Sequence, residues 1–522
     1  MRRRVGKRWA VERWRFFEGA AGERRNGEGG AKLHWVAGVC RDVGRWPSDS
    51  ITFRKGGQTV RAYDLMKKYA ATQVVDYMFS LLAKDPQRHL VTFAKILESL
   101  AATPEHKAQL QMARRAFENP DHVWTRLAQR AFSSLHPNFR TRGLVNLFVN
   151  EVYLGWQERK RHAERLGTNI PALLVISPTM RCNLACTGCY AGRYTKRDEI
   201  DTATFDRIIT EAKELGIHFI VVSGGEPFTR EDLLDMAEKH DDVVFMVYTN
   251  GTLIDERTAR RLAELGNMSP AISLEGFEEA TDARRGAGTF AKVMQAMDNL
   301  RQAGAVFGFS ATYTRFNTDV VASDEFIDML IDKGAMYGWF FTFVPVGKDA
   351  DMGLMCTPEQ RDRMRRHVLH IRETRPIFVA DFWNDGPLVA GCLAGGRSYL
   401  HINARGDIEP CVFVHFAVDN IKNTTIADVL KSPFFMDIKS RMPLNENHLR
   451  PCMIIDNPWV LREVVARHGA HPTHEGADCV ITVLARALDE YAEAYGRIAE
   501  VAWEKEYPKA RARAKAAAAA GE

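Results

Sequence analysis

The 522-residue chain contains no run of 18 or more apolar residues, so it offers no candidate for a membrane-spanning helix. It also has little net charge. The formal balance is +5 at pH 7, and nine Lys/Arg against three Asp/Glu within residues 1–25 account for all of it. The remainder is close to neutral, which excludes a basic body built to grip nucleic acid, and no specific nucleic-acid partner is expected. The basic arm lacks the apolar core of a secretory signal. There is no internal repeat, which excludes a solenoid, and the alanine tail from Ala510 is the one low-complexity stretch. Cysteine is scarce: nine residues, an odd number, clustered locally. That usage argues against a disulfide-stapled secreted scaffold and for a reducing, cytoplasmic setting in which thiolates are free to hold metal.

What is present divides the chain by pattern. Residues 1–49 form the basic arm, expected to be flexible; Trp9, Trp14, Phe16 and Phe17 among its arginines suggest peripheral membrane contact as the alternative. Residues 50–168 read as a helical domain of four to six helices. Val75, Met78, Phe79 and Leu82 fall at helical spacing, as do Phe93, Ile96, Leu97 and Leu100, with Asp85-Pro86, Thr103-Pro104 and Asn119-Pro120 as breaks. Residues 169–378 alternate short apolar runs with amphipathic helices. The strand candidates are 173–177, 219–222, 243–248, 271–274, 307–313 and 339–344. Six strand–helix alternations imply an α/β fold with parallel strands, a partial (β/α)6 TIM-like barrel whose functional loops follow the carboxyl ends of the strands. Residues 379–480 change character again, with a hairpin from Tyr399 to Val412 turning at Gly406-Asp407. This segment is expected to form a small α+β domain. Residues 481–522 read as one long helix and tail.

The loops after the six strands carry the chemistry. The first holds Cys182, Cys186 and Cys189 in S-P-T-M-R-C-N-L-A-C-T-G-C-Y. Three thiolates on one loop can hold a metal centre and leave one position without a protein ligand. A zinc site ordinarily needs a fourth Cys or His, and none lies nearby in sequence. The second loop is Gly224-Gly225-Glu226-Pro227, and the third is Thr249-Asn250-Gly251-Thr252. The fourth carries Ser273, Glu275 and Arg284-Arg285, the fifth Arg315 and Asn317, and the sixth Pro345-Val346-Gly347. Farther on, Cys392 is followed after thirteen residues by Gly406 and after four more by Cys411, with Cys452 and Cys479 later. Asp381, Trp383 and Asp385, just before Cys392, read as a surface loop, with a place in the lining of the substrate cavity as the alternative. His401 and His415 read as structural histidines, and Cys40 and Cys356 as incidental.

These motifs, in this order, resemble the radical S-adenosylmethionine enzymes over roughly residues 171–350. The resemblance implies that Cys182, Cys186 and Cys189 ligate three irons of a 4Fe-4S cluster, with S-adenosylmethionine on the fourth. It implies that Gly224, Gly225, Glu226 and Pro227 hold the methionine amino group, that Asn250, Ser273 and Glu275 make ribose and methionine contacts, and that Arg285 pairs with the carboxylate. Residues 343–347 would pack near adenine. One departure is that Gly188 stands before the third cysteine, where the family often has an aromatic residue. The later cysteines resemble the twitch or SPASM extension. They imply one auxiliary 4Fe-4S cluster held by Cys392, Cys411, Cys452 and Cys479, although a full SPASM set has seven cysteines. The implied activity is reductive cleavage of S-adenosylmethionine to a 5′-deoxyadenosyl radical that takes hydrogen from a substrate C–H bond. A flavodoxin or ferredoxin is the implied reductant. A peptide is the first expectation for the substrate, with a lipid or small metabolite as alternatives. A non-enzymatic iron–sulfur electron carrier or sensor stands as the contrary reading.

Overall fold

The computed structural model describes residues 52–55, 58–61, 79, 81–82, 84–99 and 104–520. It separates into two units, residues 1–74 and 75–522. In the first, the described residues form an antiparallel hairpin, β1 (Thr52–Lys55) with β2 (Gln58–Arg61), in register from Thr52↔Arg61 to Lys55↔Gln58. This corrects the helical expectation for that stretch. The missed signal was Gly56-Gly57 between two short runs containing Thr, Phe and Val, a hairpin pattern. Val75 and Met78 lie outside the described residues, as do Cys40 and the basic arm.

The second unit is built on a ten-stranded sheet. In chain order its strands are β3 (Leu174–Ile176), β4 (Phe219–Val222), β5 (Val244–Thr249), β6 (Met268–Leu274), β7 (Gly308–Tyr313), β8 (Tyr337–Thr342), β9 (Phe378–Asp381), β10 (His401–Ile402), β11 (Asp407–Glu409) and, beyond a small strand β12 (Phe416–Ala417), β13 (Asp419–Asn420). Their spatial order is β13-β11-β10-β3-β4-β5-β6-β7-β8-β9. From β3 to β9 every pairing is parallel, and helices follow the strands, as expected of βα units. The helices start where polar caps allow. Asp201, Asp255, Ser323 and Thr357 each accept a backbone N–H of the first turn of the helix that follows. The strands are nearly continuous apolar runs because both faces are covered.

Two features differ from the expectation. First, Phe378–Asp381 is a seventh parallel strand, so Asp381 and Trp383 are buried rather than on a surface loop. Second, the C-terminal hairpin is part of the same sheet. β10 pairs in parallel with β3, His401 opposite Val175 and Ile402 opposite Ile176, and β11 folds back antiparallel. β12 pairs with β14 (His471–Pro472). The expected long C-terminal helix is two helices, Ala485–Glu506 and Pro508–Ala520, because Pro508 can open a helix but not continue one.

The helices of residues 86–166 have a definite place in this unit. Phe79, Phe93 and Phe132 make a small aromatic core between them. From Arg130 onward their polar side chains and backbone bond successive turns that lead into the strands. Arg130 donates to Pro376 O before β9 and to Ile331 O before β8. His136 N donates to Gly304 O before β7, and Asn138 to Glu264 O before β6. Asn146 donates to Asp241 O before β5, and Glu151 accepts from His218 N before β4. Asn146 and Glu151 lie on a ten-residue π-helical stretch, Asn146–Gly155, whose wider turn brings buried polar residues onto the sheet. These helices therefore close the amino-terminal mouth of the partial barrel. Among the described residues no helix is long and apolar enough to cross a membrane.

Candidate functional site

All of the sequence-singled loops meet at the carboxyl ends of the strands, opposite the closed mouth. The loop after β3 and the loop after β4 are sewn together by backbone hydrogen bonds. Ser223 N donates to Ile176 O, Gly225 N to Thr179 O and Glu226 N to Arg181 O, at 2.7–2.9 Å. The glycines are required by this closeness. A Cβ on Gly224, whose φ is +114°, would stand 2.5 Å from Thr179 O, and one on Gly225 would stand 2.2 Å from Arg181 O. Cys182, Cys186 and Cys189 are free thiols, partly exposed, and each of the other two raises the pKa of Cys182 electrostatically, after the larger effect of burial. The arginines Arg284 and Arg285 act on Cys189 in the opposite sense. The helix Glu278–Arg285 is tied to the cysteine loop by Thr187 N to Arg284 O at 3.0 Å.

The missing aromatic before Cys189 is supplied from elsewhere. Gly188 takes φ +66°, and the space its side chain would occupy is filled by Phe343, whose ring lies 2.5 Å from an ideal Cβ there. Phe343 is itself buried at the end of β8. The segment then continues along the cysteine loop, with Lys348 N donating to Cys189 O at 2.9 Å.

Glu226 and Asn250 turn out to be organisers. Glu226 is fully buried. Its Oε1 accepts from Thr249 Oγ1 and Phe228 N, and its Oε2 from Asn250 N. Burial raises its pKa despite these donors. The Asn250 side chain donates to Asn183 Oδ1 at 2.8 Å and accepts from Thr252, which pins the cysteine loop to the end of β5. Pro227 opens the short 3₁₀ turn that follows Glu226. Ser273 is half-buried on β6. Glu275, fully buried, accepts from Arg284 and Arg285 on Oε1, while Oε2 has no hydrogen-bond partner. A buried carboxylate oxygen without a donor is costly, and here it fits a hydroxyl or ammonium group of a bound cofactor. Arg315 and Asn317, by contrast, are spent on the fold. Asn317 accepts from Thr314 N and donates to Glu275 O, and Arg315 donates to Met355 O.

A second thiol set forms in the C-terminal segment. Cys392, Cys411 and Cys452 are felt together by Tyr399, whose hydroxyl lies 3.0 Å from Cys411 Sγ. Burial pushes all three thiols up, Cys452 to about 12. Deprotonating them needs a cationic partner, as an iron–sulfur cluster provides. Five cysteines share one local geometry. The N–H two residues on points at the sulfur for Cys182, Cys392 and Cys452 at 3.3–3.4 Å, and the backbone of Ala191 and Phe413 does the same for Cys189 and Cys411. Such donors stabilise anionic sulfur. Cys479 lacks this turn. Its backbone donors are Val480 and its own N–H, and the nearby charges are Asp478 and Arg193 rather than the other thiols. Cys356 is buried 3.8 Å from Tyr491 Oη. Among the described residues no three His, Cys, Asp or Glu side chains are grouped around a single metal ion, and a cluster instead places each thiolate on its own iron.

Between the two thiol sets runs a band of rings. Tyr190, next to Cys189, meets Phe413 at 5.7 Å, Phe413 meets Trp383 at 5.1 Å, and Trp383 bonds to Cys452. Phe341, Phe382 and Tyr248 extend it. Sequence reasoning did not place Phe413, Tyr399 or Asn183 in the site, and gave Trp383 a place there only as the alternative to a surface loop. Only the fold brings them there, because β9 and the C-terminal hairpin flank the barrel strands.

Comparison with known proteins agrees with this geometry. Residues 176–320 match the family model of the radical SAM superfamily, and residues 392–453 match that of the SPASM iron–sulfur cluster-binding domain. The chain is 32% identical over 262 residues to the mycofactocin maturase MftC of Mycobacterium ulcerans, covering 47% of this chain and 70% of the relative. It is 26% identical over 307 residues to the AdoMet-dependent heme synthase of Oleidesulfovibrio alaskensis, covering 52% and 78%. Among solved structures, Streptococcus suis SuiB bound to S-adenosylmethionine is similar at 19% identity and a TM-score of 0.47, over 56% of this chain and 73% of SuiB. Members of this family carry a 4Fe-4S cluster and S-adenosylmethionine, and the SPASM segment adds an auxiliary iron–sulfur cluster. From its two thiol sets, its glycine loop, the two family-model matches and the similarity to the maturase, the chain belongs to the radical SAM superfamily, as a member with a C-terminal SPASM domain.

Proposed function

We propose that this enzyme modifies a peptide at an unactivated C–H bond, with the substrate lying on the aromatic band between the two thiol sets. Cys182, Cys186 and Cys189 would hold the first cluster. The backbone of Gly224 and Gly225, with Glu275 Oε2 and Arg285, would receive S-adenosylmethionine. Cys392, Cys411 and Cys452 would hold the auxiliary cluster, and Cys479 stands outside the ligand set. When bound, the reduced cluster supplies the electron that splits the sulfonium and leaves a carbon radical able to take hydrogen. The protein's own part is positional. Glu226 and Asn250 fix the cysteine loop against the end of β5, and Arg284 and Arg285 add positive charge beside the thiolates. The rings of Tyr190, Phe341, Phe382 and Phe413 keep the lumen dry where a reactive intermediate must not meet water.

The observation that carries the reading is the convergence of both thiol sets on one band of side chains. Support for a peptide comes from the maturase relatives, which match at higher identity than the heme synthases. The heme synthases favour a second reading, a small metabolite of tetrapyrrole size. A small iron–sulfur or flavin protein would deliver the electron. The direct test is anaerobic reconstitution with iron and sulfide, reduction with dithionite, and assay of 5′-deoxyadenosine. About eight irons per chain and turnover of S-adenosylmethionine are expected. An intact cluster without 5′-deoxyadenosine would sink the enzymatic reading. Stimulation by a tetrapyrrole and by none of a panel of synthetic peptides would overturn the peptide assignment.

A further inference from the structure

The glycine loop has a second fastening, which begins in the C-terminal hairpin. Glu409 on β11 is fully buried, and its Oε2 lies 2.6 Å from His401 Nδ1. His401, on β10, places Nε2 2.7 Å from Ser177 Oγ. Ser177 ends the strand ahead of the cysteine loop and is brought into register by its N–H donating to Ile402 O at 2.8 Å. The Ser177 side chain is also within reach of the Tyr190 hydroxyl. That hydroxyl sits 2.6 Å from Ser223 Oγ and accepts from Gly224 N at 3.1 Å.

The donors can be ordered along this chain. The Glu409 carboxylate is anchored by Tyr194, Thr473 and Asn403 as well as by His401. It accepts from His401 Nδ1–H, which leaves Nε2 to accept from Ser177. The Tyr190 oxygen accepts from the Gly224 N–H, and its own proton lies toward Ser223 Oγ and Gly224 O. The Tyr190 ring cannot swing away, because it lies parallel to His415 at 6.4 Å and edge-on to Phe413. The loop is thus held at Gly225 by Thr179 and at Gly224 by Tyr190.

We infer that Tyr190 is a positioning residue for S-adenosylmethionine, through which the C-terminal hairpin sets the Gly224–Gly225 backbone. The inference rests on the proposed role of that loop. It gives the SPASM segment a task in the first site that is separate from holding its own cluster: Glu409, His401, Ser177 and Tyr190 transmit the hairpin's position to the cofactor loop.

The test measures S-adenosylmethionine affinity, iron content and the EPR spectrum of the reduced cluster in the same reconstituted samples. Tyr190→Phe removes one hydrogen-bonding oxygen and keeps the ring. It is expected to weaken S-adenosylmethionine binding about fivefold to tenfold. Iron content and the cofactor-free spectrum should be unchanged. His401→Gln should act in the same direction, and the double variant should bind no more weakly than the weaker single variant, since both cut one chain. Tyr337→Phe, a buried hydroxyl at the closed mouth, should bind as the wild type does. Unchanged affinity in Tyr190→Phe overturns the inference, as does loss of iron in that variant or multiplying losses in the double variant. Gly225→Ala, run alongside, separates the two levels. Unchanged affinity there overturns the loop assignment itself, whereas unchanged affinity in Tyr190→Phe alone overturns only the positioning role.

Discussion

Arg361→Met should cost the enzyme its auxiliary cluster and leave the first one in place. Arg361 is fully buried on the helix Pro358–Thr374, and its partner Asp456 is equally buried. Two guanidinium nitrogens reach the carboxylate at 2.6 and 3.2 Å, a third contact goes to Leu449 O, and the ring of Tyr495 lies 3.7 Å from the guanidinium carbon. Burial opposes the charge, but Asp456 holds the guanidinium firmly protonated. Removing one member of such a pair leaves a buried charge uncompensated, at about 3–5 kcal/mol. The lost ring contact adds about 1–2 kcal/mol. The sum is a large part of the stability of an ordinary domain. The damage has an address: Asp456 Oδ2 also accepts from Cys452 N at 3.0 Å, so the loop carrying that thiol moves first. Urea titration of the reconstituted protein should show the midpoint falling by several tenths molar or more. Iron should fall from about eight to about four per chain. Asp456→Asn together with Arg361→Met, which removes both charges, should recover part of the stability. A single variant that unfolds with the wild type, or that loses the first cluster instead, would refute the argument.

Three further outcomes follow from individual side chains. Asp381 is pushed up to about 6 from its ordinary 3.8, first by burial and then by Asp385; the native state binds this proton more tightly than the unfolded chain does. Its contribution is therefore full below about pH 4 and is lost as pH rises through about 6, a swing of about 3 kcal/mol. Asp381→Asn should remove that slope, so that urea midpoints measured from pH 5 to 7.5 diverge in the variant's favour as pH rises; parallel curves would count against it. Gly225→Ala should weaken S-adenosylmethionine binding at least tenfold, because its Cβ meets backbone atoms of Met180 and Arg181 at 2.2–2.8 Å; circular dichroism should be unaltered. Cys479→Ala should retain the full iron content, whereas Cys411→Ala should lose about half, and equal losses would return Cys479 to the ligand set.

The site was legible where chemistry demands particular residue types at short spacing. The three thiols on one loop, the two glycines that no side chain can replace and the buried Glu275 are all local signals. The fold was legible where apolar runs alternate with amphipathic helices. What escaped was decided by contacts between distant segments. Phe378–Asp381 is too short and too polar at its end to announce a strand, yet it completes the parallel series and buries Asp381. Tyr190 was visible beside Cys189, but its ring partners Phe413 and His415 lie more than two hundred residues later. The hairpin at residues 52–61 was missed because helical periodicity downstream was extended backward over a Gly-Gly turn.

The attachment of the C-terminal hairpin to β3 explains why a SPASM segment with few cysteines can still serve the first site. β3 is the strand whose end carries the cysteine loop, and β10 is its neighbour in parallel register. A displacement of β10 therefore reaches Ser177 with no flexible linker between them, through backbone hydrogen bonds at 398, 400 and 402 as well as through His401. At the other mouth the helices from Arg130 to Arg159 bond the turns before β4 to β9 in reverse order, which holds the spacing of the strands that carry the glycine loop and Glu275. The cofactor loops are thus held between two fixed ends. One is the helical cover, whose buried Glu151–Arg159 pair locks it to the sheet. The other is the hairpin, whose Glu409 and His401 lock it to Ser177. Of the two, only the hairpin touches the auxiliary thiols, Glu409 standing two residues from Cys411. Loading of the auxiliary cluster should therefore change affinity for S-adenosylmethionine even before a substrate is present. Comparing cofactor affinity in wild type and Cys411→Ala, each with its first cluster intact, checks this: equal affinities would show that the hairpin holds its position with or without its own cluster.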